Sequence, residues 1–118
     1  MAATVLIVDD HPAFRAAARR LLELEGYDVV GEAEDGRTAI DVARRLRPDF
    51  ILLDVQLPDV DGFEVAERLC TDPTPPQIVL TSSRDRSDYG PCLASTPARG
   101  FVPKAELSGA GIADILAA

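Results

Sequence analysis

The stretch Phe50–Asp54, with the sequence FILLD, decides the fold because four apolar residues end directly in an acid. A second apolar run, Thr4–Val8 (TVLIV), ends in the same way at Asp9 and Asp10. Continuous short runs of aliphatic and β-branched residues are typical of strands that are covered on both faces. In a parallel sheet, neighbouring strands end at one edge, where open α/β folds bind their ligands. We therefore expect Asp9, Asp10 and Asp54 to lie together.

A cluster of three carboxylates implies a cation. At an intermediate dielectric constant, the three charges would repel one another by several kcal/mol. A hard divalent cation with oxygen ligands removes that repulsion. The sequence therefore predicts a Mg²⁺ site in which one carboxylate remains free to attack a substrate.

The rest of the chain alternates between helical and strand patterns. Helices are predicted at Pro12–Glu25, Arg37–Leu46, Phe63–Cys70 and Leu107–Leu116, and further strands at Tyr27–Ala33, Gln77–Thr81 and Gly100–Val102. This alternation indicates a parallel sheet, and right-handed crossovers place helices on both of its faces. We expect a three-layer αβα fold with five strands, formed as one domain by residues 1–118.

The segment Ser83–Arg99 departs from this pattern, although the fourth helix belongs there. It contains Gly90, Pro91 and Pro97, and a proline inside a helix costs about 3 kcal/mol. Proline is tolerated in the first turn, so Pro91 is expected to open a helix of roughly a turn and a half. The fourth helix is therefore predicted to be short or irregular.

Composition excludes several classes of function. The chain has 12 basic and 20 acidic residues and a net charge of −8, which argues against direct binding of nucleic acid through phosphates. No apolar run approaches the roughly 20 residues that cross a bilayer. Cys70 and Cys92 have no metal or redox spacing, so we interpret them as free thiols of a cytoplasmic protein.

Four blocks at the strand ends carry a family resemblance. They are Val8–His11 (VDDH), Leu52–Gly62 (LLDVQLPDVDG), Leu80–Ser83 (LTSS) and Gly100–Lys104 (GFVPK). Each is weak alone, but in this order and on these elements they resemble the receiver domain of two-component response regulators. The resemblance covers essentially the whole chain. It implies a flavodoxin-like fold with strand order 2-1-3-4-5.

The resemblance also implies a chemistry. Asp54 would accept a phosphoryl group from the phosphohistidine of a sensor histidine kinase, with self-phosphorylation and autodephosphorylation as the only reactions rather than enzymatic turnover. Mg²⁺ would be held by Asp10, Asp54 and the backbone carbonyl of Gln56, with Asp9 acting through water. Lys104 would pair with Asp54 at rest and with the phosphoryl group afterwards.

The same resemblance implies a switch. Thr81 would move towards the phosphoryl group, and Phe101 would rotate inward at the family's aromatic position. The face made by the fourth helix, fifth strand and fifth helix would then change shape, and it could support a homodimer. Because Ser83–Arg99 lies in that face, we expect a remodelled, swapped or partly disordered surface. The ending Gly100–Leu107 resembles receivers that are joined to a helix-turn-helix DNA-binding domain, so transcriptional output is expected.

Other readings stay open on the sequence. A metal-dependent phosphohydrolase has little room for a substrate pocket among such short loops. A flavin or nucleotide binder would need a glycine-rich loop where Asp9–Pro12 stands. A receiver that binds partners without phosphorylation, or a stand-alone single-domain regulator, is also compatible with the residues.

Three further features are interpreted more simply. His11 reads as a surface residue at the start of a helix rather than a metal ligand. The side chain of Gln56 is hypothesised to influence the lifetime of the phosphoryl group. Arg15, Arg19 and Arg20 read as a solvated helix face, with docking of an acidic patch on a kinase as the alternative.

Overall fold

The computed structural model describes residues 2–117, which form a parallel five-stranded sheet between two layers of helices. The strands are β1 (Thr4–Val8), β2 (Asp28–Ala33), β3 (Phe50–Asp54), β4 (Gln77–Ser82) and β5 (Gly100–Pro103), and the helices are α1 (Pro12–Leu24), α2 (Gly36–Leu46), α3 (Gly62–Cys70), α4 (Pro91–Ser95) and α5 (Gly109–Ala117). The strand order is β2-β1-β3-β4-β5. The predicted architecture and topology are therefore confirmed.

Successive residues of the central strands divide between two cores. Leu6 and Leu53 face the core beneath α2 and α3, whereas Ile7 and Leu52 face the core beneath α1 and α5. All four side chains are fully buried. Because both faces of the sheet are covered, β1 and β3 are apolar throughout instead of alternating. This double burial leaves the strand ends as the place for polar groups.

Side chains of loop acids begin two of the helices. Asp35 accepts a hydrogen bond from the backbone N–H of Thr38 at 2.8 Å and starts α2. Asp61 accepts one from the backbone N–H of Glu64 at 2.9 Å and starts α3. Such caps satisfy backbone donors that have no partner inside the helix. They fix where the loops at the carboxyl edge of the sheet give way to helix.

The irregular segment between β4 and β5 folds as its prolines predict. Pro91 occupies the first turn of α4, and the helix ends after Ser95. Gly90, which precedes Pro91, has a φ of 47°, a conformation that glycine adopts without strain. A single 3₁₀ turn at Arg86–Asp88 precedes this short helix. The predicted short helix is confirmed.

The predicted start of the last helix is wrong by two residues. Residues Lys104–Glu106 form a 3₁₀ turn, and Leu107 has extended backbone angles. Helix α5 begins only at Gly109, where the hydroxyl of Ser108 accepts a hydrogen bond from the N–H of Gly111 at 3.0 Å. The serine cap sets this boundary, because its side chain satisfies a donor in the first turn.

Two expectations about the whole chain are checked by the fold. Cys70 and Cys92 are both exposed free thiols, as predicted. None of the helices in the described part of the chain has the length and apolar character needed to cross a membrane.

Candidate functional site

The strand ends bring the predicted acids together at one edge of the sheet. Asp9 follows β1 and Asp54 ends β3, and these strands are hydrogen-bonded neighbours. Their side chains are almost completely buried, with 0% and 3% of each exposed. Oxygen atoms of Asp9, Asp10 and Asp54 and a ring nitrogen of His11 all lie within 4.8 Å of one another.

The donor set of this cluster fits a hard divalent cation. Carboxylate oxygens dominate it, and they are the ligands that Mg²⁺ prefers. Lys104 is the cation in direct contact with the buried acids, at 2.7 Å from Asp9 and 3.3 Å from Asp54. Three carboxylates facing one lysine leave two negative charges unbalanced. A divalent cation would neutralise them.

Lys104 lies between the two buried acids. The predicted ion pair with Asp54 is present, but the shorter contact is to Asp9. The ammonium group also lies over the Phe14 ring, 4.3 Å from its centre, where the negative face of the ring attracts a cation. Burial by itself would lower the pKa of Lys104, but the hydrogen bond with Asp9 and the charges of Asp54 and Asp9 outweigh it and raise that pKa. The lysine therefore remains charged.

Asp54 has a higher pKa than an ordinary carboxylic acid. Burial raises its pKa from 3.8 to about 6, and the nearby charge of Asp9 adds to the rise. The backbone N–H of Gln56, which donates to Asp54 at 3.0 Å, and the charge of Lys104 both act in the opposite direction. Ionised Asp54 is thus held at a cost, which a bound cation or a covalent modification would relieve.

Thr81 lies in register with Asp54 on the neighbouring strand. Its side chain is fully buried, and among the described residues its hydroxyl has no hydrogen-bond partner. A buried hydroxyl without a partner costs about 1–3 kcal/mol. The hydroxyl is therefore available to a ligand that brings an acceptor oxygen into the site.

The loop after β3 folds back onto the strand that carries Asp54. The N–H of Gly62 donates to the carbonyl of Val55 at 2.8 Å. A side chain at Gly62 would place its Cβ only 2.5 Å from the backbone oxygen of Asp54. This close approach requires glycine and holds the exposed Gln56 beside the acids. The role of the Gln56 carbonyl as a ligand stays a prediction.

Asp59 anchors the same loop, and sequence reasoning did not single it out. Its carboxylate accepts hydrogen bonds from the backbone N–H groups of Gly36 at 2.8 Å, Arg37 at 3.0 Å and Val60 at 2.8 Å. The bond from Gly36 is the main cause that lowers the pKa of Asp59 to about 2. The sequence around Asp59 is that of an ordinary turn, and it does not indicate a hydrogen bond to Gly36, 23 residues away at the start of α2.

An aromatic contact network behind β4 was also not predicted. The hydroxyl of Tyr89 lies 2.6 Å from Ser82 Oγ, and its ring packs edge-on against Phe63 and Phe101 at 5.6 and 5.7 Å between centroids. Arg86 donates to the carbonyl of Phe101 at 2.8 Å. Phe101 is therefore buried beneath the segment that carries Arg86 and Tyr89.

His11 contacts the acids more closely than expected for a surface residue. Its Nδ1 lies 3.1 Å from Asp9 and 3.0 Å from Asp10, although its side chain is 68% exposed. It also immediately precedes α1, as predicted. The ring thus covers the outer side of the carboxylate cluster.

Comparison with known proteins identifies this arrangement. The family model described as the response regulator receiver domain matches residues 5–114. The chain belongs to that family. The receiver is 42% identical to the nitrate/nitrite response regulator protein NarP of Escherichia coli over 101 residues, which cover 85% of the chain and 47% of NarP. It is 34% identical to the E. coli DNA-binding transcriptional activator EvgA over 113 residues, covering 96% and 53%.

A solved structure gives the same result for the fold. The signal receiver domain of NarL from Mycobacterium tuberculosis superposes with a TM-score of 0.87 and 32% identity, covering 99% of this receiver and 98% of that chain. The predicted family and fold are thus confirmed. The receiver spans about half the length of the curated relatives that it matches. Receivers are the phosphoacceptor domains of two-component systems and bind Mg²⁺ in an acidic pocket, which the cluster here resembles.

Proposed function

We propose that Asp54 is the residue that accepts the phosphoryl group, and that a sensor histidine kinase supplies it. The observation that carries this assignment is the position of Asp54: a buried strand-end carboxylate that contacts Lys104 and lies in register with Thr81. A carboxylate oxygen attacks phosphorus, and the P–N bond to the kinase imidazole breaks. The electron pair of that bond remains on the imidazole nitrogen, which takes up a proton.

The acids at the edge of the sheet form the metal part of the site. Asp10, Asp54 and the Gln56 carbonyl would hold Mg²⁺ directly, and Asp9 would hold it through water. The ion supplies neutralisation of the charge on the phosphoryl oxygens. Asp9 also keeps Lys104 in place, since their contact of 2.7 Å is the shorter of the two ion pairs.

Lys104 and Thr81 are positioned to bind the new group. Lys104 is a flexible point charge that can exchange a carboxylate for a phosphoryl oxygen. The hydroxyl of Thr81 is buried without a hydrogen-bond partner in residues 2–117, and it would donate to another of those oxygens. Phosphoryl transfer demands mainly such positioning and charge balance, and very little further chemistry from the protein.

The output is proposed to pass through Phe101 to the face made by α4, β5 and α5. Phe101 lies in register with Leu80, next to Thr81, and is 3% exposed. Movement of Thr81 towards the phosphoryl group would free space for the ring. A DNA-binding domain outside this chain would read the change and regulate transcription in the cytoplasm, with a homodimer through the same face. The description of the relative EvgA as a DNA-binding transcriptional activator supports that output.

Intact mass spectrometry after incubation with acetyl phosphate tests the assignment. We expect the wild type to gain one phosphoryl group when Mg²⁺ is present and to gain none when it is chelated. Asp54→Asn should gain none under either condition, because a neutral amide replaces the nucleophilic carboxylate. Glu34→Gln removes an exposed acid near the same edge and should behave like the wild type.

Each arm of this experiment has a definite reading. Phosphorylation of Asp54→Asn would place the acceptor elsewhere. A wild type that never gains mass would refute phosphoacceptor function and favour an interaction module that works without phosphorylation. Equal gain with and without Mg²⁺ would refute the metal role alone.

A further inference from the structure

Arg15 on α1 makes a contact that neither the resemblance nor the proposed chemistry uses. Its Nη1 donates to the backbone carbonyl of Asp9 at 2.6 Å, and its Nε donates to Glu32 at 3.0 Å. The side chain is only 17% exposed. Sequence reasoning assigned it to a solvated face, but the structure shows a guanidinium that links α1, β2 and the end of β1.

We infer that Arg15 is a positioning residue that orients Asp10 for metal binding by holding the Asp9–Asp10 peptide. This inference rests on the proposed function, because it concerns the ligand geometry of the same site. A peptide unit is planar. The carbonyl of Asp9 and the N–H and Cα of Asp10 therefore belong to one rigid group. A hydrogen bond that fixes the carbonyl also fixes the direction in which Asp10 leaves the chain.

The two acids differ in how else they are held. Asp9 is anchored through its N–H, which donates to Ala33 at 3.0 Å, and through its buried carboxylate, which contacts Lys104. Asp10 has a side chain that is 36% exposed, and among the described residues its polar side-chain contact is with the ring of His11, which is itself 68% exposed. Orientation of Asp10 thus depends on its backbone. The guanidinium of Arg15 holds the peptide before Asp10, and the N–H of His11, which donates to the Asp9 carboxylate at 2.8 Å, holds the peptide after it.

Arg19 provides a matched control. It lies one turn further along α1 and pairs with the same Glu32, at 2.9 Å, but makes no contact with Asp9. Loss of either arginine removes one positive charge from the same neighbourhood. Only loss of Arg15 releases the Asp9 carbonyl. Weaker Mg²⁺ binding in the Arg15 variant than in the Arg19 variant therefore reports positioning, because the loss of charge alone would strengthen binding.

Calorimetric titration of the unphosphorylated protein with Mg²⁺ tests the inference without any phosphodonor. Arg15→Gln should weaken Mg²⁺ binding by about tenfold, the lower end of the range seen when groups that orient metal ligands are removed. Arg19→Gln should stay within about twofold of the wild type, as expected for a partly exposed ion pair. The charge effect alone would have the opposite sign, because removing a nearby positive charge strengthens cation binding.

A second variant and a structural readout guard against loss of folding. Arg15→Lys keeps the charge but not the forked geometry that holds two partners, so its affinity should fall between those of Arg15→Gln and the wild type. The amide ¹⁵N resonance of Asp10 should shift in both Arg15 variants and remain in place in Arg19→Gln. Melting temperatures without Mg²⁺ show which variants are folded.

The possible results separate the inference from the proposed function. A wild type that binds no Mg²⁺ would refute the proposed metal site itself. A wild type that binds Mg²⁺, together with Arg15→Gln of equal or higher affinity, would overturn the role of Arg15 and leave the proposed function intact. Equal weakening in the Arg15→Gln and Arg19→Gln variants would also overturn it, because the shared partner Glu32 would then be responsible.

Discussion

The raised pKa of Asp54 predicts that the acceptor carboxylate, when ionised, destabilises the resting fold. Asp54→Asn keeps the shape of the side chain and removes its charge. Burial raises the pKa of Asp54 from 3.8 to about 6. A pKa that is higher by about two in the folded state corresponds to about 3 kcal/mol of lost stability once Asp54 is ionised. We therefore expect the variant to be more stable than the wild type at pH 7.5 by up to about 3 kcal/mol.

The sign follows from proton binding. Between pH 3.8 and about 6, folded Asp54 holds a proton that the unfolded chain has released. Wild-type stability must then fall as the pH rises through that window and level off above it. The variant has no such group. The difference between the two proteins should grow from near zero below pH 4 to its full value above about pH 6.

Urea unfolding of both proteins across this pH range, with chelator present, measures the effect. Addition of Mg²⁺ should narrow the difference, because the ion stabilises only the wild type through ligand linkage. A variant that is no more stable than the wild type at pH 7.5 would show that ionised Asp54 does not destabilise the fold. A difference that is constant with pH would do so as well, because it could not arise from ionisation of Asp54.

Two further substitutions test the loop and the network behind β4. Tyr89→Phe removes the hydrogen bond to Ser82 and should lower the free energy of unfolding, measured by urea titration, by about 1 kcal/mol. Tyr27→Phe is the control, because the Tyr27 hydroxyl has no hydrogen bond within residues 2–117, and it should leave the free energy of unfolding nearly unchanged. Equal losses in the two variants would contradict this prediction. Asp59→Asn should destabilise the protein at neutral pH, because the lowered pKa of Asp59 marks stability that is present above pH 4 and lost only as the pH falls towards 2. Stability curves that fail to converge in acid would count against that role for Asp59.

Several features of this receiver followed from local pattern. The unbroken apolar runs ending at Asp9 and Asp54 predicted central strands with acids at one edge, since only a doubly covered strand is apolar throughout. Pro91 and Pro97 predicted the short α4, because proline is tolerated in the first turn of a helix and not in its interior. The start of α5 was misplaced because the apolar Leu107 precedes the Ser108 cap.

Side-chain hydrogen bonds between different structural elements were not predictable in this way. Arg15 looked like one of several arginines on a helix surface, and nothing in its neighbours along the chain indicates the carbonyl of Asp9. The Tyr89 hydroxyl and the Asp59 carboxylate likewise bind partners that folding brings near. These contacts are directional hydrogen bonds, which depend on separations of tenths of an ångström that periodicity does not encode.

Local sequence pattern was enough to locate the strands, the helices and the charged strand ends, because hydrophobic periodicity and backbone preference are set by neighbours along the chain. It thereby determined the fold and the group of Asp9, Asp10, Asp54, Thr81 and Lys104. Only folding brings Lys104 closer to Asp9 than to Asp54 and leaves the Thr81 hydroxyl without a hydrogen-bond partner among residues 2–117. Orientation and acidity depend on packing in three dimensions, where burial and short distances change the strength of every charge.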